Sequence, residues 1–410
     1  MKPRPTEGTS VDPGGRVEPA GAGVAPGAAS KLLVDRIADG RSLEALEPEW
    51  RTLLEASRAD CVFLTWEWVT AWWRHFGVGR ALWVLVARDG SGTLQGIAPL
   101  FLDRMAAAPG LRVRALTWIG LGGPLAPDYL DIIAPENRER AAAEAFLAWL
   151  DAHAPEWDVV YGRQIADDST GMAQLRVEAV RRGYWVVQGV SQEARYASLP
   201  SRMEQYEKEC LGQKSRHTLR TDRNRIGREG KLLFADLARE WPPERCIAAL
   251  AELHGARGQM LERGSAFERP GYRAFHEEFA RLAAERRWLR MPSYLSQGAP
   301  VAARYGLAYR GTLYEYQTGF DPAFARQGVG RVLLAESIRA SIEEGLGRFD
   351  MLGGASALKR QFCPESRWQN TLILAPPDRR GVILPLRRLA PSLLRARRRR
   401  EAPGPDAEGA

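Results

Sequence analysis

Residues 311–352 read GTLYEYQTGFDPAFARQGVGRVLLAESIRASIEEGLGRFDML. Gly311–Phe320 is rich in β-branched and aromatic residues, the composition of a strand. Asp321-Pro322 ends it. From Val329 to Ile342 the apolar residues Val332, Leu333, Ala335, Ile338 and Ile342 recur at helical spacing. Gly345 and Gly347 stop that helix, and Arg348–Leu352 begins another strand. The unit is therefore strand, glycine-containing loop, helix, strand. The first amides of such a helix have no internal partner and lie at the positive end of its dipole. Gly328 and Gly330 remove the Cβ atoms that would keep a ligand away from that backbone. Together these features make Arg326–Arg331 a candidate site for a phosphate or pyrophosphate.

The segment resembles motif A of the GNAT superfamily of N-acetyltransferases, Arg/Gln-x-x-Gly-x-Gly/Ala. Gly328, Val329 and Gly330 match its glycine part, whereas its first position falls on Ala325, with Arg326 one place along. The wider frame is a strand ending YQTGFDPAFAR, the helix and Phe349-Asp350. That frame is similar to the CelD/BioF-like acetyltransferase branch, itself related to the FemAB transferases. The resemblance implies an α/β (α+β) fold of two tandem GNAT-like domains, each a mixed, mostly antiparallel twisted sheet flanked by helices. It implies acetyl-CoA or another acyl-CoA as co-substrate, no metal, and an amine acceptor on a sugar, an amino acid or a polysaccharide precursor. The plain alternative is an ordinary βαβ unit with no cofactor.

A length of 410 residues fits two domains. No run approaches the ~20 apolar residues of a membrane helix, and MKPRPTEGTSVDPGG has no apolar secretory core. Cytoplasmic residence is the expectation. Cys61, Cys210, Cys246 and Cys363 are scattered, without the spacing of a zinc site or a disulfide framework. The net charge of +8 points to an anionic ligand or surface.

Residues 1–30, rich in Gly, Pro and Ala, read as a disordered leader. Residues 31–200 form a first GNAT-like domain, in the order β-α-α-β-β-β-α-β-α-β. It includes a helix over Leu43–Ser57, an aromatic helix TWEWVTAWWRHF from Thr65 and a last strand over Tyr184–Gln192. Its loop GLGGPLAPDYLDIIA carries Asp128, Tyr129 and Asp131, and the family places such a loop at the substrate groove. Residues 231–376 repeat the order and keep the glycine loop; the first half has none before Arg138. Between the halves, 201–230 is a basic helical linker in which Arg216, Arg220 and Arg223 share one face. That face suits an anionic substrate, or it bridges the domains in solvent. The end, 377–410, is basic over 379–400 and then acidic. The basic part could lie on an anionic membrane or pack as a short helix.

Acyl transfer from a thioester needs a bound pyrophosphate, a donor to the carbonyl and a base for the amine. Arg326, Gln327, Gly328, Val329, Gly330 and Arg331, with Thr318 beside them, are the cofactor candidates. The resemblance implies a strand N–H near Tyr316–Thr318 as the carbonyl donor. Asp350 and Glu315 are candidate bases, and Tyr316 is a candidate acid to the thiolate. Lys359 matches the lysine of a family Tyr-Lys pattern whose tyrosine is Leu358 here. On the acceptor side stand Arg216, Arg220, Asp128, Tyr129 and His254. Two other readings stay open: a FemAB-type transferase using aminoacyl-tRNA, its basic helix meeting RNA phosphates, and a non-catalytic accessory protein of polysaccharide biosynthesis.

Overall fold

The computed structural model describes residues 31–229, 232–354 and 356–389. The leader 1–30 and the tail from 390 on lie outside them. The first half folds as β1 (Leu33–Ile37), α1 (Gly40–Ala45), α2 (Glu47–Glu55), α3 (Trp66–Phe76), β2 (Ala81–Arg88), β3 (Leu94–Ala108), β4 (Leu111–Trp118), α4 (Glu139–Ala152), β5 (Val159–Ala166), α5 (Thr170–Arg181) and β6 (Trp185–Ser198). Next come α6 (Met203–Cys210) and α7 (Gln213–Glu229). The second half runs β7 (Leu232–Asp236), α8 (Pro243–Met260), α9 (Tyr272–Glu285), β8 (Leu289–Arg290), β9 (Pro292–Ser296), β10 (Ala299–Tyr309), β11 (Thr312–Phe320), α10 (Val329–Glu343), β12 (Arg348–Gly353), α11 (Ala357–Phe362) and β13 (Glu365–Ala375), followed by α12 (Arg380–Leu386).

All strands join one sheet, ordered β1-β2-β3-β4-β5-β13-β6-β12-β11-β10-β9-β7, with β8 also on β10. Among the described strands only β4–β5 and β11–β12 pair in parallel; each pair is joined by one crossover helix, α4 and α10 respectively. The two halves thus repeat the same order, as the sequence suggests. Their last strands change places: β13 pairs with β5 of the first half, β6 pairs with β12 of the second, and the two pair with each other. The fold is the expected mixed, mostly antiparallel sheet flanked by helices.

Aromatic packing holds the halves against one another. Thr65 caps α3 by accepting the Trp68 amide at 3.3 Å. Trp68 and Trp72 are fully buried. Trp68 meets Phe63, Phe275 and Phe279 edge-on at ring distances of 4.8–5.0 Å. The tryptophan cluster is core.

Some expectations shift. The helix expected over 43–57 breaks at Leu46, where Pro48 begins a new first turn. The linker is two helices, parted at Leu211-Gly212. The strand expected to stop at Gln192 continues to Ser198, because β12 and β13 supply partners on both sides. At the other end, Ile383 and Leu386 of α12 pack with Val113 and Ile373. No described helix is long and apolar enough to cross a membrane.

A chain ended after Pro364 loses the strand shared by both halves. It is expected to show no cooperative thermal transition by circular dichroism, whereas one ended after Leu389 melts as a single unit.

Candidate functional site

β11 and β12 stay together only briefly. Thr312, Leu313 and Tyr314 pair with Arg348, Phe349 and Asp350, and there the parallel ladder stops. Just beyond, β11 is irregular on its other side: Tyr305 faces Gln317 and Gly306 faces Glu315, so Tyr316 is the extra residue of a bulge. Two strand edges thus part inside the sheet, where backbone groups have no ladder partner and need another. Lys359 of α11 supplies part of the answer. Its ammonium donates to the carbonyls of Met351 at 2.5 Å and Gly353 at 2.7 Å. Burial lowers its pKa, opposed by the carboxylates of Glu315, Asp128 and Asp350.

The loop before α4 brings two polar side chains to the same place. Tyr129, in the left-handed region at φ 61°, donates its hydroxyl to Asp350 at 2.9–3.0 Å. Asp350 is buried and also accepts the Leu352 amide at 2.8 Å. Burial raises its pKa, and the Leu352 and Tyr129 hydrogen bonds oppose the shift. Asp128 accepts from Gln369 at 2.5 Å, Gln192 at 3.0 Å and the Gly353 amide at 3.3 Å. Desolvation pushes its pKa up to about 6. Asp128, Tyr129, Asp350 and Lys359, from both halves of the chain, are therefore one constellation. Gln192 and Gln369 complete it and carry no sequence signal: both are ordinary strand residues.

A cleft of about 470 Å³ opens onto Tyr129. Its floor is Thr312 and Tyr314 of β11, Arg348 of β12 and Arg367 of β13. Its walls include Asp60, Cys61 and Ser169.

The glycine loop forms as the motif requires. Gly328 takes φ 72° and begins α10, and a Cβ on Gly330 would only touch the Phe320 ring. A Cβ on Gly328, however, would run into the carboxylate of Asp222 on α7. Asp222 is buried and accepts from Arg331. Arg225, 3.6 Å from Asp222, donates to the Arg326 carbonyl. The anion at this helix start is the chain's own. Sequence reading missed Asp222 because α7 is far away in the chain.

The other candidates are held by partners of their own. Glu315 is in a buried ion pair with Arg304, which also donates to the Gly330 carbonyl at 3.1 Å. Tyr316 sits among Phe63, Trp68, His276 and Tyr305, and burial raises its pKa well above the usual tyrosine value. Its hydroxyl accepts the Ala126 amide at 3.5 Å. The Thr318 hydroxyl donates to the Ala303 carbonyl at 3.3 Å. His254 bonds Ser265 at 2.9 Å on the α8 side of β11. The face that 216, 220 and 223 share on α7 is not an open basic patch: Arg216 caps the carbonyls ending α6, Arg223 pairs with Glu207 and Glu336, and Arg220 is exposed. Among the described residues no cluster has the makings of a metal site.

Residues 213–360 match the family model described as an acetyltransferase (GNAT) domain. The match takes in α7 and the whole β11–α10–β12–α11 unit. No curated protein matches the sequence. Among solved structures the chain is similar to FemX, at 9% identity over 86% of this chain and 100% of that one, with a TM-score of 0.59. It is also similar to the C-terminal domain of a putative lysylphosphatidylglycerol synthetase from Agrobacterium fabrum, at 12% identity over 85% and 95% of the two chains and a TM-score of 0.50. At such identities these likenesses speak for the fold.

Tyr129→Phe leaves the buried Asp350 carboxylate one donor short; a loss of about 1–3 kcal/mol is expected in urea unfolding. Burial pushes the Asp128 carboxyl up to about 6 from 3.8, so the stability this one group contributes is greatest below pH 4 and falls as pH rises toward 6. Asp128→Asn lacks that loss. Relative to the parent it should gain up to about 3 kcal/mol between pH 4 and pH 7, measured by chemical denaturation at each pH.

Proposed function

We propose that the protein is an acyl-CoA-dependent N-acyltransferase, with acetyl-CoA the leading donor and an amine of a sugar, amino acid or polysaccharide precursor as acceptor. The observation that carries this is the parting of β11 from β12 beside the bulge at Tyr316, within the segment that matches the GNAT domain. An extended thiol arm fits between two strand edges by pairing with backbone groups that the ladder no longer uses. Its thioester would then lie near the bulge, where a strand amide polarises the carbonyl.

In the reaction the amine nitrogen bonds to the thioester carbon, the C–S bond breaks, the amine gives up a proton and the thiolate takes one. Holding both reactants in one place supplies most of the rate. Asp350 is the base in this reading, acting through the Tyr129 hydroxyl that it accepts from. Tyr316 is the acid: its raised pKa keeps it protonated and able to donate to the thiolate. Lys359, held by the Met351 and Gly353 carbonyls, fixes the shape of the opening and does not itself react. Glu315, committed to Arg304, is assigned to structure.

The pyrophosphate site is less open than a bare glycine loop. Asp222 already takes the Arg331 donor at the start of α10. In this reading the nucleotide displaces that carboxylate, and Arg225, Arg326 and Arg331 turn to the phosphates. A second reading, transfer from aminoacyl-tRNA, is supported by the exposure of Lys214, Arg220 and Arg228 on α7.

Two measurements test this. Saturating acetyl-CoA should raise the melting temperature, by about 2.7 kcal/mol of stabilisation at a hundredfold excess over Kd; stabilisation by tRNA and not by acetyl-CoA favours the second reading. Asp222→Asn should tighten acetyl-CoA binding several-fold at low salt, with the gain shrinking as salt is added. Unchanged affinity in calorimetry removes the pyrophosphate from the α10 start.

A further inference from the structure

We propose that the cleft above Thr312, Arg348 and Arg367 binds the negatively charged group, carboxylate or phosphate, of the amine acceptor. The acceptor is then an anionic amine, such as an amino acid or an amino-sugar phosphate, and not a neutral one. This rests on the acyltransferase reading for the word acceptor; the anion site itself stands on geometry alone.

Four arginines line the cleft, and they are not alike. Arg58 is spent on Glu136, and Arg310 on Asp60 at 2.8 Å. Arg348 of β12 faces Ser198 and Arg367 of β13 faces Ala194 on β6, the strand between them, so the two lie on one face of the sheet four residues apart along it, and both line the cleft. The guanidinium of Arg348 lies 4.6 Å from the Tyr196 ring centre, and no described carboxylate lies within 4.0 Å of it. Arg367 stacks 4.3 Å above the Tyr129 ring. Its nearest acid is Asp168 at 3.7 Å, beyond hydrogen-bond distance and largely in solvent. Both guanidiniums therefore present planar forks of donors that the chain leaves unused, the geometry that takes carboxylate or phosphate.

The acids in the cleft do not cancel them. Asp60 is held by Arg310 and the Tyr309 hydroxyl. Asp131 accepts from Ser169 and from the Ile132 and Met172 amides, serving the start of α5. Asp350 is buried beneath Tyr129, away from solvent. Asp168, the third lining acid, is the exposed one 3.7 Å from Arg367, so four arginines line the opening against three carboxylates. Its volume suits a small metabolite.

The position also fits. Thr312 and Arg348 face each other two residues before Tyr314 and Asp350, the last pair of β11 and β12. A small molecule anchored on the arginines reaches Tyr129, and so the Asp350 end of the parted strands, with its other end. The anion fixes the register and the amine points toward the constellation.

Calorimetry on the full chain tests this with three small amines: O-phosphoethanolamine, β-alanine and ethanolamine. At least one anionic amine should bind at least tenfold tighter than ethanolamine. Arg348→Gln and Arg367→Gln should each reduce that binding about tenfold, and Arg140→Gln, on the far α4 surface, should not. Preference for the phosphate or the carboxylate assigns which anion is read. Equal binding of all three amines, or unchanged affinity in whichever of the two variants keeps the parent's circular dichroism spectrum, overturns the proposal. Acetyl-CoA binding is measured alongside. Its loss with anion binding intact would sink the acyltransferase reading and leave the anion site standing. The reverse result would sink the site alone.

Discussion

The structure depends on the pairing of β6 with β13, Trp185–Tyr196 against Glu365–Ala375. Each strand belongs by chain order to one half and by its other neighbour to the other. A strand in the middle of a sheet has both edges satisfied, and removing it exposes two rows of unpaired backbone groups. The halves are therefore locked by covalent order as well as by packing. One consequence is chemical. Gln192 lies on β6 and Gln369 on β13, and both donate to Asp128 from a first-half loop. The constellation at the parted strands exists only because the two strands cross over.

Burying carboxylates is expensive unless donors follow them inside. Here each one carries its donors: two side-chain amides and a backbone amide for Asp128, a tyrosine and a backbone amide for Asp350, a hydroxyl and two amides for Asp131. Asp222 follows the same logic at the start of α10, where Arg331 meets it. A helix start that attracts anions is used by an internal anion. Exchange for a phosphate would be competition between like charges for the same donors, and that makes the site sensitive to salt and to the position of α7.

Much of the element order was legible because it is local. The β11–α10–β12 unit follows from strand composition, Asp321-Pro322 and the glycines, and its ends were expected within two residues. Tyr129 and Asp128 could be picked out as polar residues in a glycine-rich loop, and Asp350 by its place on the strand after the helix. What stayed hidden is long-range. The donors to Asp128 come from positions 64 and 241 residues away. Nothing in the composition of β6 or β13 says that they exchange partners. The helical spacing of Arg216, Arg220 and Arg223 suggested a free basic face, but α6 ends beside Arg216 and offers it carbonyls to cap. Periodicity reports which residues share a helix face, not which neighbours compete for them.

The repeat itself explains why one half keeps an opening. In the first half β4 and β5 pair over Ala115–Thr117 and Val159–Tyr161, the counterpart of the short ladder between β11 and β12. The next residue on β4 is Trp118. Its ring lies against Gly162 of β5, where even a Cβ would be tight, and its indole donates to the Asp131 carbonyl at 2.7 Å. A fully buried tryptophan fills the place where the second half has Glu315 turned away to Arg304. The crossover helix α4 starts at Arg138 without a side-chain cap or a glycine, so no backbone cradle faces that point. One ladder is closed by an aromatic plug and the other is left parted. The first half then gives its loop, not its own opening, to the candidate site, and the repeated fold brings two unequal parts to one place.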